Sequence, residues 1–236
     1  IYYKISDFRC IFKIRIVAGL MPENALLSKL DDGVFIMYHR KSDDNPLIAK
    51  PHKWTSLQNS GEIADGVAIV EGGKILVVAP TQATTKLTWS SGEVSGGGTT
   101  TFDRATALND WNGKTNTQKQ IAASKEDAVT NTASYAPGFC NLYSRSNANG
   151  KGLTAGKWWL PSVGEMMMIY ANMTKVNYAL SLISGATQIA EDSYWTSTEA
   201  SATYAWGLNL SNGRVIGNDT KASALSGVRA VSAFIS

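Results

Sequence analysis

The sequence predicts an α+β domain. Three observations carry that prediction. Short apolar runs bounded by turn residues fill the first third, helical three-to-four-residue periodicity follows, and period-two alternation appears after Gly185. Strands, then helices, then strands again, with long loops between them, describe small antiparallel sheets with two helices.

The elements are justified in chain order. Gly33-Val-Phe-Ile-Met-Tyr38 reads as a strand. Gly66–Val70 and Lys74–Ala79 read as a hairpin joined through Glu71-Gly72-Gly73, and Pro80 stops the second strand. Residues 91–100, SGEVSGGGTT, form a Gly/Ser-rich loop. Thr101 or Asp103 caps a helix that runs to Asp110-Trp111, with Phe102, Ala105 and Leu108 on one face and Asn112-Gly113 closing it. A short helix is predicted over Thr117–Lys125, and 126–156 reads as mostly loop. Lys157-Trp-Trp-Leu-Pro-Ser162 reads as an aromatic strand entering a helix. Ser162 and Glu165 have capping-box spacing there. That helix is predicted from about Val163 to Leu182, with Met166, Ile169, Tyr170, Met173, Val176 and Leu180 as its apolar stripe.

In the last third, Trp206, Leu208 and Leu210 point one way, while Gly207, Asn209 and Ser211 point the other. Asn212-Gly213 predicts a two-residue hairpin. Val215 continues the inward face, and Arg214 and Ile216 point out. Residues 217–227 read as a loop before a closing strand over Val228–Ile235.

Composition narrows the function classes. Charged residues make up 17% of the 236-residue chain, against about 25% in an average soluble protein. The net charge of +3 resides in residues 1–20, where Lys4, Arg9, Lys13 and Arg15 face Asp7 alone; the rest is balanced. A balanced body has no electrostatic footprint for nucleic acid. Residues 1–30 are expected to be an arm or attachment segment, or in part a stretch upstream of a start at Met21, and 31–236 one domain. No run approaches about 18 apolar residues, so no membrane span is expected. The two cysteines, Cys10 and Cys140, make no disulfide framework, and Cys140 is expected as a buried thiol.

Motifs of catalysis and metal binding are missing. His39 and His52 have no catalytic partner at motif spacing, and HExxH, C-x-x-C, P-loop and Gly-x-Ser-x-Gly patterns do not occur. Glu165 and Asp103 read as helix caps. Glu191-Asp192 and Asn218-Asp219 lack dense calcium-site spacing, so no metal or cofactor is expected. Trp158, Trp159, Trp195 and Trp206 fall at inward positions, whereas Tyr204 lies in the run ASATY as the aromatic placed for contact.

Several of these segments together form a specific set: Gly156-Lys-Trp-Trp-Leu-Pro-Ser-Val-Gly-Glu165, Tyr194-Trp195-Thr-Ser-Thr-Glu199, Ala205-Trp206, Asn212-Gly213 and Val228-Arg-Ala-Val-Ser-Ala-Phe234. Asp110-Trp-Asn-Gly113, Ala136-Pro-Gly-Phe-Cys140 and Asp32-Gly-Val-Phe-Ile-Met37 belong with them. Over roughly residues 31–236 the chain resembles the C-type-lectin-like domains of gut Bacteroides and their phages. Within that group it resembles the variable proteins of diversity-generating retroelements.

The resemblance implies a C-type-lectin-like fold and a non-enzymatic receptor-binding role. It implies a virion-tail or cell-surface location and a bacterial surface protein or glycan as partner, and it allows a homo-oligomer on that surface. In such systems template adenines are replaced at random, and Asn codons are the usual targets. Changing their first two bases cannot produce Lys, Glu, Gln, Met or Trp. Within 200–227 only Trp206 and Lys221 belong to that unreachable set. The variable ligand-binding region is expected at about 195–227. Its candidate positions are Ala200, Ser201, Thr203, Tyr204, Gly207, Asn209, Ser211, Arg214, Ile216, Gly217, Asp219, Ala222, Ser223, Leu225 and Ser226. They are expected to face outward, with Tyr204, Arg214, Ile216 and Leu225 as anchors. A cell-surface adhesin or lectin of fixed specificity is the alternative. The formylglycine-generating and sulfoxide-synthase enzymes share the broader fold, but this sequence lacks their cysteine pair near the C-terminus.

Overall fold

Apolar alternation and two turn glycines build the first sheet. The computed structural model describes residues 31–123 and 131–233. The chain divides into two units, Ile1–Asp31 and Asp32–Ser236. The arm expected over 1–30, Cys10 and the end of the closing strand lie outside the described residues. Strands β3 (Ala64–Glu71) and β4 (Lys74–Val78) form the expected antiparallel hairpin, and the expected strand β1 (Gly33–His39) pairs antiparallel with β3. Gly72 and Gly73, at φ 56° and 78°, form the two-residue turn between β3 and β4.

Two elements here escaped the sequence reading. Strand β2 (Pro46–Ala49) pairs with β1, and helix α1 (Pro51–Asn59) follows with proline in its first turn. Its Trp54 is fully buried and meets Tyr38 edge-on at 5.6 Å. Strand β8 (Val231–Ser232) completes the order β2-β1-β3-β4-β8. Both faces of this sheet are covered: Ile36, Val67 and Ile69 enter one core cluster, and Met37 and Ala68 enter another.

The helices follow their caps. Helix α2 (Arg104–Leu108) is capped by Asp103, whose Oδ2 accepts from Thr106 N at 2.7 Å. Phe102 precedes the helix and is 69% exposed, so it does not share the buried face predicted for it. Helix α3 (Gly113–Ala123) starts at the glycine expected to end its predecessor. A Cβ on Gly113 would lie 2.0 Å from Glu165 Oε2, so this glycine serves a close approach. Helix α4 (Ala136–Leu142), with Pro137 in its first turn, lies in a segment read as loop and buries Cys140 completely. Burial pushes that thiol's pKa up, as befits an inert core cysteine.

The long helix predicted over 163–182 is two helices, α5 (Val163–Ala171) and α6 (Met173–Ser181). The capping box at Ser162 and Glu165 is present. Asn172 makes the break at φ −108°, ψ 8°. Its Nδ2 bonds Met168 O at 3.0 Å and Glu71 Oε2 at 2.7 Å, tying the break to the tip of the β3–β4 hairpin. The aromatic stretch 157–162 is a single bridge, Trp159 to Val231, instead of a strand. Among the described residues no helix is long and apolar enough to cross a membrane.

The second sheet is β5 (Ser193–Glu199), β6 (Tyr204–Asn209) and β7 (Arg214–Thr220), in that order and antiparallel. The architecture is therefore α+β, with two small antiparallel sheets.

Candidate ligand-binding surface

The register of the second sheet sorts the candidate residues by face. Tyr194, Leu208 and Val215 are aligned partners, and all three join the first core cluster with Trp206 and Leu210. The opposite face carries the rows Trp195–Gly207–Ile216 and Ser193–Asn209–Arg214. Trp195 and Ala205 on that face enter the second cluster and are fully buried. The sheet is thus covered on both sides at β5 and opens toward its edge strand, β7.

Strand β7 extends past the expected start of a loop at 217. Ala205 pairs with Asp219 and Gly207 with Ile216, so Gly217 and Asn218 together oppose Trp206. This is a bulge. Gly, Asn and Asp are depleted in strands, which is why the segment reads as loop. The β6–β7 connection spans four residues, Leu210 to Gly213, not two.

The fifteen candidates do not form one outward face. Ser211, Arg214, Ala222 and Leu225 are exposed, and Ser201, Thr203, Asn209, Ile216, Asp219 and Ser223 are half-buried. They occupy the β7 edge, the two adjoining turns and the loop after β7. Tyr204 shares the face of Trp206 by register and packs partly against the first cluster, so the exposed placement expected for it is corrected. Ala200 and Ser226 are buried at 2% and 0% exposure, and Gly207 is buried too. Gly217 is half-buried under an indole, and a Cβ there would lie 2.6 Å from the Trp206 ring. Alternation reports which side of a strand a residue takes, not whether another segment covers that side. Here residues 226–227 fold back beside β5, with Trp195 N donating to Gly227 O at 3.0 Å and Gly227 N to Ser193 O at 2.8 Å.

A buried polar frame holds this surface. Thr196, Ser197, Thr198 and Glu199 are all fully buried despite their polarity. Each has distant partners. Thr196 Oγ1 donates to Trp206 O at 2.7 Å, and Thr198 Oγ1 donates to Asp110 Oδ2 at 2.7 Å. Gln120 Nε2 donates to Ser197 O at 2.7 Å. Glu199 Oε2 accepts from Gly96 N at 2.8 Å and from Lys221 Nζ at 2.6 Å. Lys221 also donates to Val94 O at 2.6 Å and lies 4.3 Å above the Trp89 ring. Burial pulls the Lys221 pKa down, and Glu199 opposes that shift. Asp110 takes further bonds from Asn112, Asn116 and Thr99, so this carboxylate is an internal hub. Sequence reading missed both Glu199 and Lys221 as structural residues. The signal available was Lys221 as the one lysine in 200–227, outside the set an altered Asn codon can encode.

Electrostatics at the open edge are mild. Burial raises the Asp219 pKa, and Arg214 counteracts this. Among the described residues no group of three or more His, Cys, Asp or Glu side chains could hold a metal ion. The aromatic residues expected in the core are there: Trp158, Trp159, Trp195 and Trp206 are at most 5% exposed.

No protein-family model matches this chain, and no curated protein matches it. Among solved structures, this chain matches a fimbrial protein from Bacteroides ovatus at 18% identity and a TM-score of 0.46. The match covers 67% of this chain and 35% of that one.

Proposed function

We propose that this chain is a non-enzymatic receptor-binding protein with a C-type-lectin-like fold, diversified by a retroelement and displayed on a phage tail or cell surface. One observation carries the reading. Trp206 and Lys221, the two residues in 200–227 that an altered Asn codon cannot encode, are both buried. Each is anchored to a loop carbonyl, Trp206 Nε1 to Thr101 O at 2.8 Å and Lys221 Nζ to Val94 O at 2.6 Å. Every exposed or half-buried position in the same interval holds a reachable residue. The two unreachable residues thus meet a structural need, and no accessible position in the interval holds an unreachable one.

The physical logic is a division of labour. Packing and the buried polar frame hold the backbone, while edge and loop residues change at little cost, since surface substitutions usually stay within about 0.5 kcal/mol. Contact with a bacterial surface protein or glycan falls to Arg214, Ile216, Leu225 and their neighbours. Homo-oligomeric display raises avidity without new contacts.

Sequencing this locus across sibling isolates tests the reading. The expected result is a nearby reverse transcriptase, a near-copy of about 195–236, and differences concentrated at Ser201, Thr203, Asn209, Ser211, Arg214, Ile216, Ala222, Ser223 and Leu225. Identical residues at these positions throughout would overturn diversification and leave an adhesin of fixed specificity.

A further inference from the structure

Six of the seven tryptophans donate their indole N–H to a protein oxygen: Trp54, Trp89, Trp158, Trp159, Trp195 and Trp206. Trp111 is the exception. Its Nε1 has no hydrogen-bond partner among the described residues, and it alone of the seven is substantially exposed, at 40%. Two cavities abut at this residue. One, of ≈ 420 Å³, lies between the β3–β4 hairpin tip and helices α2 and α5 and is walled by Leu108, Met167, Met168 and Ala171. The other, of ≈ 330 Å³, lies toward Trp159 and Glu165. Trp111, Lys74 and Met168 line both. The Nε1 edge of Trp111 lies against Gly164, which lines the larger cavity. Volumes of this size and a mostly apolar lining with a few polar groups suit a small ligand.

The polar groups here are unevenly satisfied. Lys74 Nζ stands 4.9 Å from the Trp111 ring centroid and has no hydrogen-bond or ion-pair partner among the described residues. Each nearby carboxylate has one oxygen engaged. Glu71 Oε2 takes Asn172 Nδ2 at 2.7 Å, and Glu165 Oε2 takes Trp159 Nε1 at 3.1 Å and Ser162 N at 2.9 Å. Two donors without protein partners among the described residues, one of them cationic, therefore border a mostly apolar cavity, and its one carboxylate, Glu71, is hydrogen-bonded through Oε2 to Asn172. The ligand that complements them brings an anionic acceptor and an apolar body.

We propose that the larger cavity beside Trp111 binds a monocarboxylate with an apolar or aromatic body. Its carboxylate takes Lys74 Nζ and Trp111 Nε1–H, and its body lies against Leu108, Met167, Met168 and Ala171. None of the fifteen candidate recognition residues lines this cavity, so the site is separate from the β7 edge and does not depend on the function proposed for that edge.

The test is a titration of the full chain with 4-phenylbutyrate, followed through the indole signals of a nitrogen-15 correlation spectrum. 4-Phenylbutan-1-ol serves as the uncharged control. Loss of one signal in Trp111→Phe identifies the reporter. The Trp111 signal is expected to move saturably with the acid while the other six stay in place. The alcohol and the Lys74→Met variant are each expected to bind about tenfold more weakly or worse, as for a lost charge-assisted bond. Absence of saturable movement at millimolar acid, or equal affinity for acid and alcohol, overturns the proposal. The acid–alcohol comparison uses the unaltered chain, so it decides the matter even if a variant misfolds.

Discussion

Lys221 Nζ lies 2.6 Å from Glu199 Oε2, and both side chains are fully buried. The pair joins the end of β5 to the residue just after β7, and through Gly96 N and Val94 O it holds the Gly-rich loop. It is a clamp at the root of the segment proposed to vary.

Removing one member strands the other charge in the interior. Lys221→Met is therefore expected to cost about 3–5 kcal/mol, the range for breaking a buried ion pair. Urea denaturation measures it. The double variant Lys221→Met, Glu199→Gln is expected to lose less than the two single losses combined. A single variant that unfolds at the parent's urea midpoint would remove the clamp from this account.

Trp206 and the edge residues are expected to separate cleanly in stability. Trp206→Ala should lose about 3–5 kcal/mol, as for large aromatic truncations in cores. Ser211→Ala and Arg214→Ser, both at exposed positions, should stay within about 0.5 kcal/mol. Thermal unfolding of the three variants is the check, and a Trp206→Ala protein melting with the parent would refute the placement of that ring.

Gly217 is expected to resist change although its codon class permits it. A Cβ would sit 2.6 Å from the Trp206 ring, and Gly217→Val is expected to cost about 1–3 kcal/mol through overpacking. Chemical denaturation tests the variant directly. Sibling sequences with frequent bulky residues at 217 would show that the bulge relaxes around Trp206.

Glu165 gives a pH signature. Burial, the largest cause, raises its carboxyl from 4.5 to about 7 despite the bonds from Ser162 and Trp159. Between those values the folded chain holds a proton that the unfolded chain has released. Its contribution to stability is therefore lost as pH rises from about 4.5 to 7. Glu165→Gln is expected to flatten that part of the stability–pH curve, read as urea midpoints at pH 5, 6, 7 and 8. Parallel curves for parent and variant would exclude Glu165 as the source.

The first sheet was readable because its strands are apolar runs between glycine and proline signals. The caps at Asp103 and Ser162 were readable because their hydrogen bonds are local in sequence. Helix α1 and strand β2 were missed because their residues, PLIA and PHKWTSLQN, are weakly patterned and are held by pairing with β1 and by Trp54. The break at Asn172 is tied to Glu71, 101 residues away, as well as to Met168 O in its own helix, and the distant tie leaves no local signal.

The amino-acid order by itself determined the α+β character, the glycine turn between β3 and β4, the caps at Asp103 and Ser162 and the inward placement of Trp158, Trp159, Trp195 and Trp206, since each follows from spacing over a few residues. Only the tertiary structure decided that Ala200, Gly207 and Ser226 are covered, that the polar run 196–199 is interior, and that Trp111 is left open. Covering a face, or satisfying a buried carboxylate, takes partners from distant parts of the chain, and periodicity within one strand carries no record of them.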